Sequence, residues 1–263
     1  MKNETLKKAL QDILPPAVIG LLQRLRNAIF NWGFYGDYKS FAEALSHSTG
    51  YHTEEITRKV AGRFEAQKRD AATTHLDPRS QQILAALAVV ISHNPGRILR
   101  VIDFGGGTGH YYYLMHRYLD DLSWAVLETP EMAKACGAFA NSQLSFHSST
   151  DTLSGEYDVV IMSSVLNFVE EPLATFRKLA ERAPFCLINR LPLIPSDEDR
   201  LTIQRVPPSI YTASYPFWFF SEKLFLRTVE ATHRILMRWD VPQDKYFLDG
   251  KAVLNCGVLL KRI

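Results

Sequence analysis

A short apolar run that ends on an acidic residue and breaks into a glycine-dense turn constrains this chain more than any other stretch. Ile98-Leu99-Arg100-Val101-Ile102 leads to Asp103, and Phe104-Gly105-Gly106-Gly107-Thr108-Gly109-His110 follows. A helix is expected to begin near Tyr111, so the unit is strand, tight loop, helix. Glycines at 105, 107 and 109 remove the Cβ atoms that would hold a ligand off the backbone, and they permit backbone angles that other residues resist. The loop feeds a helix N-terminus, whose free N–H groups and positive dipole end suit a polar or anionic ligand group.

The spacing separates two cofactor classes. A dinucleotide loop reads G-x-G-x-x-G. Its third glycine falls on His110 when counted from Gly105 and on Tyr112 when counted from Gly107, and a count from Gly106 puts Thr108 in the second place. The pattern that fits is D-x-G-x-G-x-G, carried by Asp103, Gly105, Gly107 and Gly109. It resembles the first motif of class I S-adenosylmethionine (SAM) methyltransferases, in which the loop wraps the methionine part of the cofactor. Ser123 to Glu128 reads as a second short strand ending on a carboxylate. Glu128 stands 19 residues after Gly109, near the ~20-residue offset at which an acidic side chain meets a ribose. A carboxylate accepts two hydrogen bonds from a vicinal diol. Nicotinamide proteins use an equivalent carboxylate, so Glu128 marks a nucleotide site without choosing between the classes.

From Arg97 onward strands and helices alternate, which implies a doubly wound, mostly parallel α/β sheet. Strands are expected at 97–103, 123–127, 143–147, 157–163 and 185–190, with helices at about 110–119, 131–140 and 172–182. Arg234 to Val241 and Ala252 to Lys261 read as a terminal antiparallel hairpin across a turn region containing Asp249-Gly250. A class I methyltransferase sheet of seven strands ends in such a pair, and a nicotinamide domain does not. The division expected is a helical N-terminal extension over 1–96 and a SAM-binding domain over 97–263, with a lid insertion at 191–220. Within the extension, Val18, Ile19, Leu21, Leu22, Leu25, Ile29 and Phe30 form an apolar face, read either as packed on its own domain or as resting on an anionic membrane. Trp32 to Tyr38 reads as a loop because it is aromatic and glycine-punctuated. Helices are expected from about Ser40 to Ser46, from Thr53 to Arg69, from Pro78 to Ser92 with Asp77 as cap, and from Ser221 to Thr232.

Composition sets outer limits. A formal net charge of +2 over 263 residues gives no field for nucleic acid. Cys136, Cys186 and Cys256 stand far apart, which implies a reducing compartment and no disulfide framework. No apolar run is long enough for a transmembrane helix, and Pro15-Pro16 spoils a signal peptide. The expected location is cytoplasmic, with peripheral contact to the inner face of the membrane left open. The histidines show no zinc-ligand spacing.

A narrower resemblance spans roughly residues 30–262. Phe104 to Tyr112, Ser163-Ser164-Val165-Leu166-Asn167-Phe168, Ile188-Asn189-Arg190 and Ser214-Tyr215-Pro216-Phe217-Trp218 resemble a family of bacterial SAM-dependent methyltransferases associated with lipopolysaccharide, O-antigen or capsule biosynthesis. Phe34-Tyr35-Gly36-Asp37-Tyr38 and Gly50-Tyr51 fit it too. The resemblance implies SAM as cofactor, S-adenosylhomocysteine (SAH) as product, and a sugar or glycan acceptor by association.

In open α/β folds the site lies beyond the carboxyl ends of the strands. That rule nominates Ser163 and Ser164 beside the cofactor, Asn167 next to them, and Asn189 and Arg190 toward the acceptor. Arg190 reads either as a bidentate clamp for an anionic acceptor group or as a salt bridge fixing the lid. Asp151, the carboxylate after the third strand, is the candidate for the adenine amine. For a base, His110, His147 and Tyr215 stand first, with a packing role as the alternative for each histidine. The aromatic run 215–220 reads as a lid, a sugar-stacking wall or a hydrophobic anchor. The function expected is SAM-dependent O-methylation of a sugar or glycan intermediate. The alternatives are methylation of another small metabolite, and a SAM-binding, catalytically inactive partner of a glycan assembly complex. A nicotinamide-dependent oxidoreductase stands further back.

Overall fold

The protein is described by a computed structural model over residues 32–50, 75–207 and 213–263, together with Val18, Gly62, Phe64 and Lys68. Apart from Val18, Gly62, Phe64 and Lys68, the apolar face expected over 18–30 and the helix expected over 53–69 lie outside the described residues, as do Tyr51 and Tyr211.

Alternating apolar runs build a central sheet. Strands β2 (Leu99–Phe104), β3 (Leu122–Leu127), β4 (Leu144–His147), β5 (Val159–Ser163) and β6 (Phe185–Ile194) lie in the order β4-β3-β2-β5-β6, all parallel. The last strand, β11 (Lys251–Arg262), runs antiparallel to β6, and β9 (His233–Asp240) runs antiparallel along its far side. These seven strands form the sheet that the alternation and the terminal hairpin imply, with the final strand inserted antiparallel. Helices cover both faces. Ile83, Leu87 and Val90 of α2 (Pro78–His93) and Tyr112 and Met115 of α3 (His110–Met115) pack on Val101, Trp124, Val126, Ile161 and Leu187. The opposite face holds Ile102, Val160, Met162, Cys186 and Ile188 under Phe176 and Leu179 of α5 (Pro172–Ala180) and Phe225 and Val229 of α6 (Glu222–Glu230). Burial of both faces explains why the parallel strands are continuous apolar runs rather than alternating ones.

The helix caps follow the sequence. Asp77 accepts the Arg79 N–H at the start of α2, where Pro78 takes the first position. Thr129 accepts the Met132 N–H at α4 (Pro130–Cys136), and Ser221 accepts the Leu224 N–H at α6. Each satisfies a donor that the first helical turn leaves unpaired.

Beyond β6 the chain departs from the expectation in two places. The segment 32–38, expected as a loop, is strand β1 (Gly33–Tyr38), followed by α1 (Phe41–Ser46). It pairs antiparallel with β7 (Arg200–Arg205), which pairs with β8 (Ser214–Ser221). Pairing with a strand more than 160 residues away satisfies its backbone groups, and that overrides the local breaking tendency of Gly33 and Gly36. The stretch 191–220 holds the end of β6, all of β7 and nearly all of β8. Phe217, Phe219 and Phe220 are buried, so these rings of the aromatic run anchor rather than stand open. Strand β8 joins β6 in parallel only at Leu193–Phe220 and Ile194–Ser221. Asp249-Gly250 closes a two-residue hairpin between β10 (Tyr246–Leu248) and β11, both residues at positive φ, the backbone that the tightest hairpin turns require.

Candidate functional site

The glycine loop leaves β2 at the centre of the sheet, where β3 lies on one side and β5 on the other. Strand order reverses there, and open α/β sheets bind ligands at that point. Gly105, Gly107 and Gly109 have φ of +72°, +58° and +77°, angles that L side chains resist. Three contacts pin the loop. A Cβ on Gly105 would lie 2.5 Å from Val165 Cγ2, one on Gly106 would overlap the Asp103 carboxylate, and one on Gly109 would press on Leu144 at 3.2 Å. At Gly107 the loop is open, with nothing within 4 Å of an added Cβ.

Glu128 stands directly at that opening. The Gly107 N–H donates to its Oε1 at 2.9 Å and the Thr129 N–H to its Oε2 at 3.1 Å. A carboxylate has about four acceptor positions, so each oxygen retains capacity for a ligand hydroxyl. Asp103 lies beneath the loop, 1% exposed, and accepts the Trp124 indole N–H at 3.1 Å. Burial raises its pKa to about 7, and the nearby Glu128 charge adds to the rise.

On the other side of the loop, the end of β5 and the middle of β6 form a polar wall. The Tyr111 hydroxyl and Ser163 Oγ share a hydrogen bond of 3.0 Å. Ser164 and Arg190 have φ of +55° and +59°. For residues with a Cβ this backbone costs roughly 1–2 kcal/mol, and such strain gathers at functional positions. The two lie side by side, because the Ser164 N–H donates to Asn189 O at 2.9 Å. Arg190 sits in a bulge. Cys256 pairs with Leu191 and Val258 with Ile188, so β6 carries one residue more than β11 there. A left-handed residue in such a bulge is ordinarily glycine.

The Arg190 side chain is held from the turn between β9 and β10. Its Nε donates to Asp244 Oδ2 at 2.5 Å, and Arg79 Nη1, on the first turn of α2, donates to Asp244 Oδ1 at 3.0 Å. Tyr246 lies beside Ser164 and Arg190, and burial pushes its phenol above the usual range. Burial does the same to Tyr111, so both phenols are neutral at physiological pH. Behind this wall Trp239 donates to Asn189 Oδ1 at 3.1 Å. Among the described residues, Asn189 Nδ2 and both amide atoms of the fully buried Asn167 have no hydrogen-bond partner.

The residues nominated from sequence divide into groups. Asp103, Gly105, Gly107 and Gly109 belong to the loop, with His110 opening the helix after it and Glu128 bonded to it from the end of β3, and Ser163, Asn189 and Arg190 lie beside it on β5 and the middle of β6. His147 ends β4, at the sheet's edge, and Asp151 lies just past it. The four strand spacings between β4 and β6 amount to roughly 19 Å. The His147 ring nitrogens engage the hydroxyls of Thr152 and Ser145 at 3.0 and 2.9 Å, and burial lowers its pKa. Asp151 is exposed and accepts from Ser149. Tyr215 is buried in β8, its ring edge-on to Phe168 at 5.3 Å. Sequence reasoning did not reach Asp244, Tyr246 or Arg79, whose partners are distant in the chain. Tyr111 carried a faint signal: three consecutive tyrosines on one helix turn by about 100° each, and Tyr112 goes to the core while Tyr111 reaches Ser163.

No protein-family model and no curated protein matches the chain. Among solved structures, the N-terminal domain of EvdMO1 with SAH bound is similar at a TM-score of 0.48 and 14% identity, over 78% of this chain and 97% of that one. Magnesium protoporphyrin IX methyltransferase from Synechocystis PCC 6803 with bound SAH gives 0.47 and 14%, over 80% and 100%. Burkholderia thailandensis 1,6-didemethyltoxoflavin-N1-methyltransferase gives 0.45 and 16%, over 81% and 92%.

Proposed function

We propose that the protein is a SAM-dependent methyltransferase. The observation that carries this is the pairing of Glu128 with the one open position of a pinned glycine loop, at the reversal point of a sheet whose last strand is inserted antiparallel. Glu128 would take the ribose hydroxyls, and the backbone of 105–109 would take the methionine portion. When bound, the cofactor supplies an electrophilic methyl carbon on a sulfonium. The chain's own residues then position an acceptor nucleophile in line with it and exclude water. Tyr111, Ser163, Ser164 and Arg190 form the wall against which that acceptor lies. His110, the histidine carried by the loop, is the first candidate to take the acceptor's proton. Asp151 and His147, at the far edge, would meet the adenine end.

For the acceptor we propose a sugar or glycan intermediate, as the family resemblance implies. A cleft of about 860 Å³ supports this reading. Its lining includes Leu193, three residues beyond Arg190 on β6, and none of the glycine loop, Tyr111, Ser163, Ser164 or Arg190. It combines the aromatic Tyr38 and Trp218 with polar Glu198, Asp199, Arg200 and Asp249, a mixture suited to a hydroxyl-rich chain longer than one ring. Among the described residues no helix is long and apolar enough to cross a membrane.

Incubation with methyl-labelled SAM and a panel of nucleotide sugars, glycan intermediates and small phenols tests the reaction. Label on a sugar acceptor, lost in Glu128→Ala, supports the proposal. Label on a phenol alone would move the acceptor outside glycan synthesis. Tight SAH binding with no label on any member would favour a non-catalytic SAM-binding partner.

A further inference from the structure

We propose that Arg190 holds a carboxylate of the acceptor, at the point where β5 and β6 both pass through left-handed backbone beside the glycine loop. This rests on the methyltransferase reading and names the substrate class of its acceptor side.

The backbone comes first. Glycine would take the φ of +59° at Arg190 without strain, and it is the ordinary residue of such a bulge. What arginine adds there is a guanidinium, presented next to Ser163 and Ser164, themselves partly exposed. The side chain is 28% exposed, so it is neither a core residue nor a free surface group.

The charges come next. Arginine has five N–H donors. The bond to Asp244 uses Nε, which leaves the Nη donors for a ligand. Asp244 is shared: its other oxygen takes Arg79, and its side chain is only 8% exposed. One carboxylate therefore serves two guanidinium groups. Asp77 also pairs with Arg79, but it is 44% exposed and its field is weakened by water. Tyr111 and Tyr246 face Arg190 as neutral phenols and supply no negative charge. Asp77 lies on the Arg79 side and Asp244 is shared between the two arginines, so the Arg190 guanidinium is only partly neutralised. A guanidinium edge matches the planar pair of oxygens and the single charge of a carboxylate. A phosphate dianion brings more charge than one guanidinium shared with Asp244 offsets.

The test is a set of titrations of the whole protein saturated with SAH, using D-glucuronate against D-glucose and benzoate against benzamide. Wild type is expected to bind each anion saturably and at least tenfold more tightly than its neutral counterpart. Arg190→Gln is expected to lose at least tenfold in anion affinity, and Arg190→Lys, which keeps the charge without the planar fork, to fall between. The thermal melt and SAH affinity of each variant report whether it has folded, and Arg190→Lys serves if Arg190→Gln has not. Equal binding of anions and neutral probes, no anion binding by wild type, or undiminished anion binding in folded Arg190→Gln would overturn the proposal. Titration without SAH separates the two readings. Carboxylate binding lost in Arg190→Gln, with no SAH binding by wild type, would sink the cofactor reading and leave this one standing. SAH binding with no preference for carboxylates would do the reverse.

Discussion

At the scale of single residues, two carboxylates divide the work of the glycine loop, and their environments keep them different. Glu128 is half-buried and bonded to two backbone N–H groups, an arrangement that suits an ionised acceptor of hydroxyl bonds. Glu128→Ala should weaken SAM binding by about 1–3 kcal/mol as read by calorimetry, with the melt unchanged; unaltered affinity in the folded variant would remove Glu128 from the site. Asp103 is buried, and its pKa rises from 3.8 to about 7. Between these values the folded chain holds a proton that the unfolded chain has lost. Its contribution to stability is greatest below pH ~4 and is lost as the pH rises through about 7. Asp103→Asn keeps an acceptor for Trp124 and removes the titration. Denaturant melts at pH 5 and pH 8 should therefore show the variant gaining on wild type at the higher pH. Parallel behaviour of the two proteins would contradict the assignment. Gly105→Ala joins a left-handed backbone to a clash with Val165; a loss of at least 1–2 kcal/mol is expected from the backbone alone, and a melt of wild-type stability would show that the loop is not pinned.

At the scale of elements, β6 and its partners do most of the positioning. The bulge at Arg190 lies opposite Gly257 on β11, and Trp239 on β9 covers that glycine so closely that an added Cβ would overlap the indole. The same indole donates to Asn189. Gly257→Ala should displace Trp239 and cost about 1–3 kcal/mol as an overpacking change, read by chemical melt together with Trp239 fluorescence; an unmoved emission spectrum would contradict the coupling. This level also shows what the sequence could and could not convey. The loop from Asp103 to Gly109, the cap at Asp77 and the Asp249-Gly250 turn are legible because their causes are local: backbone angles, a first-turn donor, a two-residue hairpin. Strand β7 has alternating Leu201 and Ile203, both buried, but it follows a charged stretch and pairs with β1 more than 160 residues away. Asp244 finds Arg190 54 residues back and Arg79 165 residues back. No spacing rule reaches such pairs, because the fold creates them.

At the scale of the whole molecule, the parallel strands bring the loop, the Glu128 carboxylate and the wall of Tyr111, Ser163 and Ser164 to one region of the sheet, while the antiparallel additions close its β6 side. β1, β7 and β8 extend the sheet beyond β6, and the turn after β9 carries Asp244 back over Arg190. The central claim is that the pinned glycine loop and Glu128 form a SAM site. Calorimetric titration of the purified protein with SAM, SAH and NADH in parallel tests it most directly. Saturable binding of SAM and SAH with no heat from NADH is the predicted result. Binding of NADH in preference to SAM, or of none of the three, would contradict it.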